Sequence, residues 1–381
     1  MTLRPEQAVP AEVLAAVRAP FEAFGGTWIA APVLQPLNVL LDLAGEGMRT
    51  RLLVVQTDGS EDAALRPDFT IPVVQAHIAS GQARGRYLYE GQAFTAPQEP
   101  GGLAEFLQVG AEVFGAADDP VAEDVEIAAL AWTASRAGGR SDLSLMLGDV
   151  GLFAAFVRAL GTPEALALRL VRAFSDGRSL QVELARAQGA AANGSAGSSR
   201  LAGLLSGLPE AEAAAVLEEL WRLAGIQPVG GRSPAEIVHR LSERSEGARV
   251  PGIGAAEAGL IGRYLAISDT PHTALKRIEA LAYEAGLQID VQLEPWIARL
   301  KALVAAGVPE SALTLAAGFA RPFGYYDGML FEVRSAALGA ACPVAAGGRY
   351  DSLPARLGRA HHAGAVGCMV RPARAWVGAA A

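Results

Sequence analysis

The sequence predicts an α+β fold, a mostly antiparallel sheet flanked by helices and interrupted by a helical insertion. Three observations lead there. Two long strand-like runs, "RYLYEGQAF" (Arg86 to Phe94) and "AEFLQVGAEVFG" (Ala104 to Gly115), are joined by the Pro- and Gly-rich "TAPQEPGGL". That is the pattern of an antiparallel hairpin with a long loop. Helical patterns and one Gly/Ser/Ala-rich piece fill the chain from Gly151 to about Gly262, and strand-like runs return after them. No βαβ alternation and no G-x-G-x-x-G after a strand is present, so a doubly wound nucleotide-binding fold is disfavoured.

The elements follow in order. "PAEVLAAVRAPFEAFGG" has apolar residues at helical spacing and stops at Gly25-Gly26. "TWIAAPVL" reads as a short strand containing Pro32, and "PLNVLLDLAG" as a short helix closed by glycine. "TRLLVVQTDG" reads as a strand entering a turn, and "LRPDFTIPVVQAHIAS" as a turn followed by a helix. After the hairpin, "DPVAEDVEIAALAWTASRAG" is an acidic-started helix and "DLSLMLGDV" a strand. Within the insertion, "GAAANGSAGSS" reads as a flexible surface loop. "TALKRIEALAYEAGL" and "PWIARLKALVAAG" are helices, "ALTLAAGFA" and "GMLFEVRS" strands, "AAGGRYDSL" a Gly-rich turn, and "AGAVGCMV" a last strand. The division expected is 1–150 as the first part of the core, 151–262 as the insertion and 263–381 as the second part.

The 381 residues are 51% apolar, with mean hydropathy +0.26, enough for a sizeable core. The net charge is -8 and the pI about 5.3, a balance that disfavours wide contact with nucleic acid. Cys342 and Cys368 lack metal spacing and read as reduced, buried thiols. The histidines, His77, His239, His272, His361 and His362, show no metal spacing either. The N-terminus carries charges where a signal peptide needs an apolar run, and no apolar stretch is long enough to span a bilayer. A cytoplasmic chain without a membrane partner is expected.

The strand "FLQVGAEVF" is the most informative. Alternation puts Gln108, Gly110, Glu112 and Phe114 on one face, and Leu107, Val109, Ala111 and Val113 on the other. A carboxylate on a mostly buried strand needs a partner. The polar face is either a floor for a polar ligand or a structural surface with a satisfied carboxylate. "RPDFT" offers Asp68 and Thr70 just before a helix. They read either as helix caps or as receptors for an ammonium group. In "RPFGYYDG", Arg321 to Gly328, Tyr325 and Tyr326 should face opposite ways where the backbone is extended. "AAGGRYDSL" could cradle an anion on backbone N–H groups.

In this order, "RPDFT", "YLYEGQAF…EFLQVGAEVFG", "RPFGYYDGMLFE" and "GGRYD" resemble the core motifs of class II histidyl-tRNA synthetases. The resemblance covers both parts of the core. It implies a class II aminoacyl-tRNA synthetase-like antiparallel sheet, built as a dimer. By position it implies a histidine pocket of Asp68, Thr70, Gln108, Glu112, Arg321, Tyr325 and Tyr326. Asp68, Thr70 and Gln108 would take the α-amino group, Arg321 the carboxylate, and Glu112 and Tyr326 the imidazole. Tyr325 would turn to the other side or to the pocket edge.

In the histidine half Asp68 stands where the family has a glutamate and "RPFG" where it has R-G-L-D; the larger departures fall on the ATP half. Where the family has F-R-x-E, whose arginine would hold the α-phosphate, this chain has Phe94, Thr95, Ala96 and Pro97. A second expected arginine is Ala104. Losing one such transition-state donor costs ~3 kcal/mol or more. The G-x-E-R-like motif is replaced by "GCMVRPARAW", and an anticodon-binding domain is not expected after it. This combination resembles the histidyl-tRNA-synthetase-like regulatory subunits of ATP phosphoribosyltransferase. That resemblance implies a non-catalytic chain without cofactor, taking L-histidine as regulatory ligand. Its implied partner is the short-form catalytic subunit, in a hetero-octamer built around dimers of this chain. The competing readings are a free-standing histidine-adenylating enzyme and a tRNA-related paralogue.

Overall fold

The computed structural model describes residues 4–44, 46–56, 62–98, 102–115, 118–175, 177–188, 208–224, 238, 253–358 and 364–378. It separates into two compact units, Met1–Phe156 with Gly262–Ala381, and Val157–Ile261.

The larger unit is built on a ten-stranded sheet. Its strands are β1 (Arg4–Pro5), β2 (Thr27–Trp28), β6 (Gly85–Phe94), β7 (Leu103–Phe114) and β8 (Leu143–Asp149) from the first part of the chain. From the second part come β9 (Ser268–Asp269), β10 (Leu313–Ala316), β11 (Met329–Ser335), β12 (Ala345–Arg349) and β13 (Ala365–Val370). The order is β2-β6-β7-β13-β12-β11-β8-β10-β9, with β1 alongside one end of β7. The central pairings are antiparallel; β2 with β6, β8 with β10 and β1 with β7 are parallel. A small second sheet joins β3 (Leu34–Pro36), β4 (Val54–Val55) and β5 (Ala63–Leu65).

Helix α1 (Ala11–Phe24) and helix α2 (Leu37–Ala44) lie where the apolar spacing predicts. Helix α3 (Thr70–Ser80) ends on Gly81, whose φ of 66° suits a residue without a side chain. Helix α4 (Pro120–Ala137) starts with Asp119 accepting from the N–H groups of Val121 and Ala122, and with proline in its first turn. Val125, Ile127, Ala128, Ala131, Trp132 and Ala134 of α4 are buried, and the helix packs on β11, β12 and β13. Each large apolar side chain buried this way stabilises by ~1.5–3 kcal/mol. The helix also buries Asp124 completely, bound by Arg299 at 2.9 Å and Arg349 at 2.7 Å.

In the smaller unit, the helices Glu164–Phe174 and Gly177–Ala187 pack together through Leu166, Leu170, Phe174, Leu180 and Leu184. A short Arg169–Glu183 ion pair ties them. A third helix, Glu210–Ala224, gathers Ala213 and Leu217 with Val238. The stretch 189–199, expected to be a flexible loop, lies outside the described residues.

Several expectations need correction. "TWIAAPVL" is not one strand: β2 stops at Trp28 and β3 begins at Leu34, with Pro32 between them. "TRLLVVQTDG" keeps only two strand residues, because Glu46–Arg51 winds into a 3₁₀ helix first. The helix expected from Pro295 begins at Asp290, so the proline sits inside it. "AAGG" is not a turn but the interior of β12. Its glycines serve close packing: a Cβ on Gly347 would lie 2.3 Å from the Gly367 oxygen. Cys368 is buried as expected, whereas Cys342 is partly exposed.

Candidate functional site

Strand β7 forms the floor of the site because its alternation is kept through an uninterrupted pairing with β6 and β13. Gln108 and Glu112 therefore point to one side, and both line a cavity of about 470 Å³. Val109, Ala111 and Val113 are buried in the core on the other side. Gly110 must be glycine: a Cβ there would lie 2.3 Å from the Tyr89 hydroxyl and 2.5 Å from the Cys368 carbonyl. Opposite Glu112 on β13 stands Gly367, whose Cβ would lie 1.5 Å from Glu112 Oε2. Two glycines thus leave the space that the carboxylate and the cavity use.

Asp68 and Thr70 form one wall at the start of α3. The cap position itself is Phe69, where no side chain bonds. The N–H groups of Ile71 and Thr70 lower the Asp68 carboxyl from the helix start, so Asp68 serves that end while it and Thr70 also turn polar atoms inward. Thr70 Oγ1 donates to Glu112 Oε1 at 2.9 Å, and Tyr325 donates its hydroxyl to Asp68 Oδ2 at 3.0 Å.

The opposite wall is "RPFGYYDG". It has no regular secondary structure, which overturns the expectation that Tyr325 and Tyr326 face apart. Both line the cavity, with ring centres 4.7 Å apart, and Phe323 stacks on Tyr325 at 5.5 Å. Asp327 holds the segment in place, accepting from the N–H groups of Asp351 at 2.9 Å and Ser352 at 2.7 Å. Arg321 is 3.3 Å from Glu332, which also binds Arg334 at 2.8 Å. One carboxylate shared between two guanidinium groups leaves Arg321 charge for a further anion.

All the sequence-predicted site residues, Asp68, Thr70, Gln108, Glu112, Arg321, Tyr325 and Tyr326, line this one cavity. Tyr350 was missed as a partner. Its hydroxyl donates to Glu112 Oε2 from behind the cavity. The reading of its neighbourhood as an anion-cradling turn hid it. Arg349 beside it faces the other way and is spent on Asp124, Glu123 and Asp351. Tyr89, Glu332 and Gly367 also line the cavity. Each lies in a run that reads as a strand, but nothing in the sequence marked any of them as facing the cavity.

Burial dominates the electrostatics. It pushes the Glu112 carboxyl up to about 8, although the Tyr350 and Thr70 hydroxyls pull the other way. Burial likewise raises Asp68 to about 6, opposed first by Tyr325. Tyr326 is pushed up to about 12 by burial, so it stays a hydroxyl donor. Asp68 Oδ1, Gln108 Oε1 and Arg321 Nε are buried without a hydrogen-bond partner. Unmet buried groups of this kind cost ~1–3 kcal/mol each. Two acceptors and a cationic donor around one cavity suit a ligand carrying both an ammonium and a carboxylate.

Among the described residues, no cluster of His, Cys, Asp or Glu is placed to hold a metal ion. No described helix is long and apolar enough to cross a membrane.

The sheet order and inward-facing polar floor are those of a class II aminoacyl-tRNA synthetase core. Residues 2–230 and 252–372 match the histidyl-tRNA synthetase family. An ATP phosphoribosyltransferase regulatory subunit of Brucella anthropi is 35% identical over 358 residues, covering 93% of this chain and 94% of its own length. The protein of the same name from Brucella canis is 35% identical over 344 residues, or 90% of each chain. In structure, an ATP phosphoribosyltransferase regulatory subunit/histidyl-tRNA synthetase from Bacillus halodurans aligns with a TM-score of 0.64 at 17% identity, covering 100% of this chain and 83% of that one. A histidine–tRNA ligase subunit from Alicyclobacillus acidocaldarius aligns at 0.56 and 19% identity, covering 99% and 96%. The chain belongs to the histidyl-tRNA synthetase family and, within it, to the ATP phosphoribosyltransferase regulatory subunits.

Proposed function

We propose that this chain is the non-catalytic, histidine-sensing subunit of a cytoplasmic ATP phosphoribosyltransferase. It would pair with a short-form catalytic subunit, as dimers within a hetero-octamer, and L-histidine would be its only small ligand. One observation carries the reading: Asp68 Oδ1, Gln108 Oε1 and Arg321 Nε lack partners beside Glu112 in a single cavity. In that cavity Asp68 and Gln108 receive the ammonium group. The Thr70 oxygen can accept from it while still donating to Glu112. Arg321 takes the carboxylate, and Glu112 with Tyr326 takes the imidazole. Tyr325 orients Asp68.

The position of the lost phosphate-binding arginine supports the non-catalytic role. Thr95 spends its hydroxyl on the Arg51 carbonyl at 3.1 Å, and a threonine offers no charged fork to a phosphate. Histidine regulates only if it binds one state of the assembly better than another.

The test is co-purification with the catalytic subunit, then activity with and without histidine. The complex is expected to be active and inhibited by histidine. The double variant Tyr326→Phe, Glu112→Gln should stay folded and lose that inhibition. Inhibition surviving both changes would remove the pocket assignment, and histidine-dependent exchange of pyrophosphate into ATP would remove the non-catalytic role.

A further inference from the structure

The cavity extends past the amino-acid pocket. Along β7 its face continues from Gln108 to Phe106, and three arginines line this end: Arg51, Arg371 and Arg374. Guanidinium groups converging on a cavity are recognition chemistry for phosphate. Two of these are already engaged. Glu6 accepts from Arg371 Nη2 at 2.5 Å and from its Nε at 3.3 Å, and Arg374 Nε lies 3.5 Å from the same carboxylate. The side chains of Arg371, Arg374 and Glu6 are 8%, 15% and 9% exposed.

The carboxylate is held in place by the backbone. Strand β1 pairs Arg4 with Leu103 and Pro5 with Glu105, and the Glu6 N–H donates to the Glu105 carbonyl at 2.7 Å. Arg371 also lies over the Phe106 ring at 3.9 Å, and Arg374 donates to the Pro343 carbonyl at 3.0 Å. Burial first, and then the neighbouring Arg374, lower the Arg371 guanidinium to about 10. This cationic pair needs an anion, and the chain supplies its own.

We propose that Glu6 is an internal counter-ion that closes the arginine end of the cavity to phosphate-bearing ligands, leaving the cavity selective for the free amino acid. The closing to phosphates stands on this geometry alone; the selectivity clause rests on the amino-acid reading above. A phosphate from solution must strip a buried, two-point ion pair whose carboxylate is tethered, and breaking such pairs is strongly unfavourable.

Pyrophosphate is the probe, with calorimetry and thermal melting as readouts. Glu6→Gln should bind it on the order of tenfold more tightly than the wild type, because the arginines are left without their anion. The variant should melt lower than the wild type, and pyrophosphate should restore part of the loss. Adding Arg374→Gln should cancel the gain. Glu294→Gln, at an exposed position, should show no gain. Equal affinity in the wild type and Glu6→Gln overturns the proposal. So does a gain that survives Arg374→Gln or is shared by Glu294→Gln. If Glu6→Gln does not fold, Glu6→Asp withdraws the charge by one methylene and should give a smaller gain; no gain there overturns the proposal as well. Histidine heats measured on the same proteins separate the two readings. Failure here leaves them intact, whereas failure of the amino-acid reading removes them from the wild type.

Discussion

Replacing Glu112 by glutamine should abolish a pH dependence of stability that the wild type carries. Burial raises the Glu112 carboxyl from 4.5 to about 8 in the folded protein. Across that window the folded state keeps a proton that the unfolded chain has released. Stability therefore falls as pH rises from about 4.5 to about 8, and its full value is present only below that range. At about 1.4 kcal/mol per tenfold change in proton affinity, the displacement corresponds to at most about 5 kcal/mol. Relaxation and water entry reduce it, so a loss of ~2 kcal/mol or more is the expected size. Glutamine keeps an oxygen for the Thr70 or Tyr350 hydroxyl and cannot ionise. Urea unfolding of both ligand-free proteins, followed by tryptophan fluorescence, at about pH 5 and about pH 8 measures the difference. Asp68 titrates in both proteins and largely cancels. The wild type should lose ~2 kcal/mol relative to Glu112→Gln between the two pH values. A gap that is the same at both pH values would refute a buried, protonated Glu112.

Further outcomes follow from the same geometry. Gly367→Ala would set a Cβ against Glu112 Oε2 and the Ala111 carbonyl, so it should cost ~1–3 kcal/mol and remove the histidine heat in calorimetry. Tyr350→Phe removes a donor to Glu112 and should cost ~1–2 kcal/mol. Because that bond lowers the carboxyl, its loss should move the pH transition of stability upward in the same urea series. Arg349→Met leaves the fully buried Asp124 on Arg299 alone and should cost ~3–5 kcal/mol, read from the melting curve.

The floor of the site was legible because a strand has a fixed period. Gln108 and Glu112 share a face for the same reason that Val109 and Ala111 share the core. The start of α3 was legible as a helix boundary, but not the inward turn of Asp68, since capping and ligand-facing residues are the same types. The tyrosine pair misled because alternation holds only on extended backbone, and Asp327 holds that segment in an irregular path. The glycines of β12 misled more deeply. Glycine marks a turn by its conformational freedom, yet here it marks contact between Gly347 and the neighbouring strand. Tyr350 could not be placed from sequence, because its partner Glu112 lies on the distant strand β7, and the contact of Glu332 with Arg321 spans an irregular segment whose path the sequence does not show. Glu6 gave no local signal, since Arg371 follows it 365 residues later.

The pocket closes across large distances along the chain. Tyr325 and Asp68 are separated by 257 residues, and Tyr350 and Glu112 by 238. Strand β13 lies between β7 and β12, so it stitches the first-made half of the sheet to the last. During synthesis the floor on β7 would wait, half-walled, until Tyr325 and Tyr350 have been made. A ligand bound there would then report completed folding as well as its own concentration. Contacts of such long range form late, so the ligand should slow unfolding far more than it speeds folding.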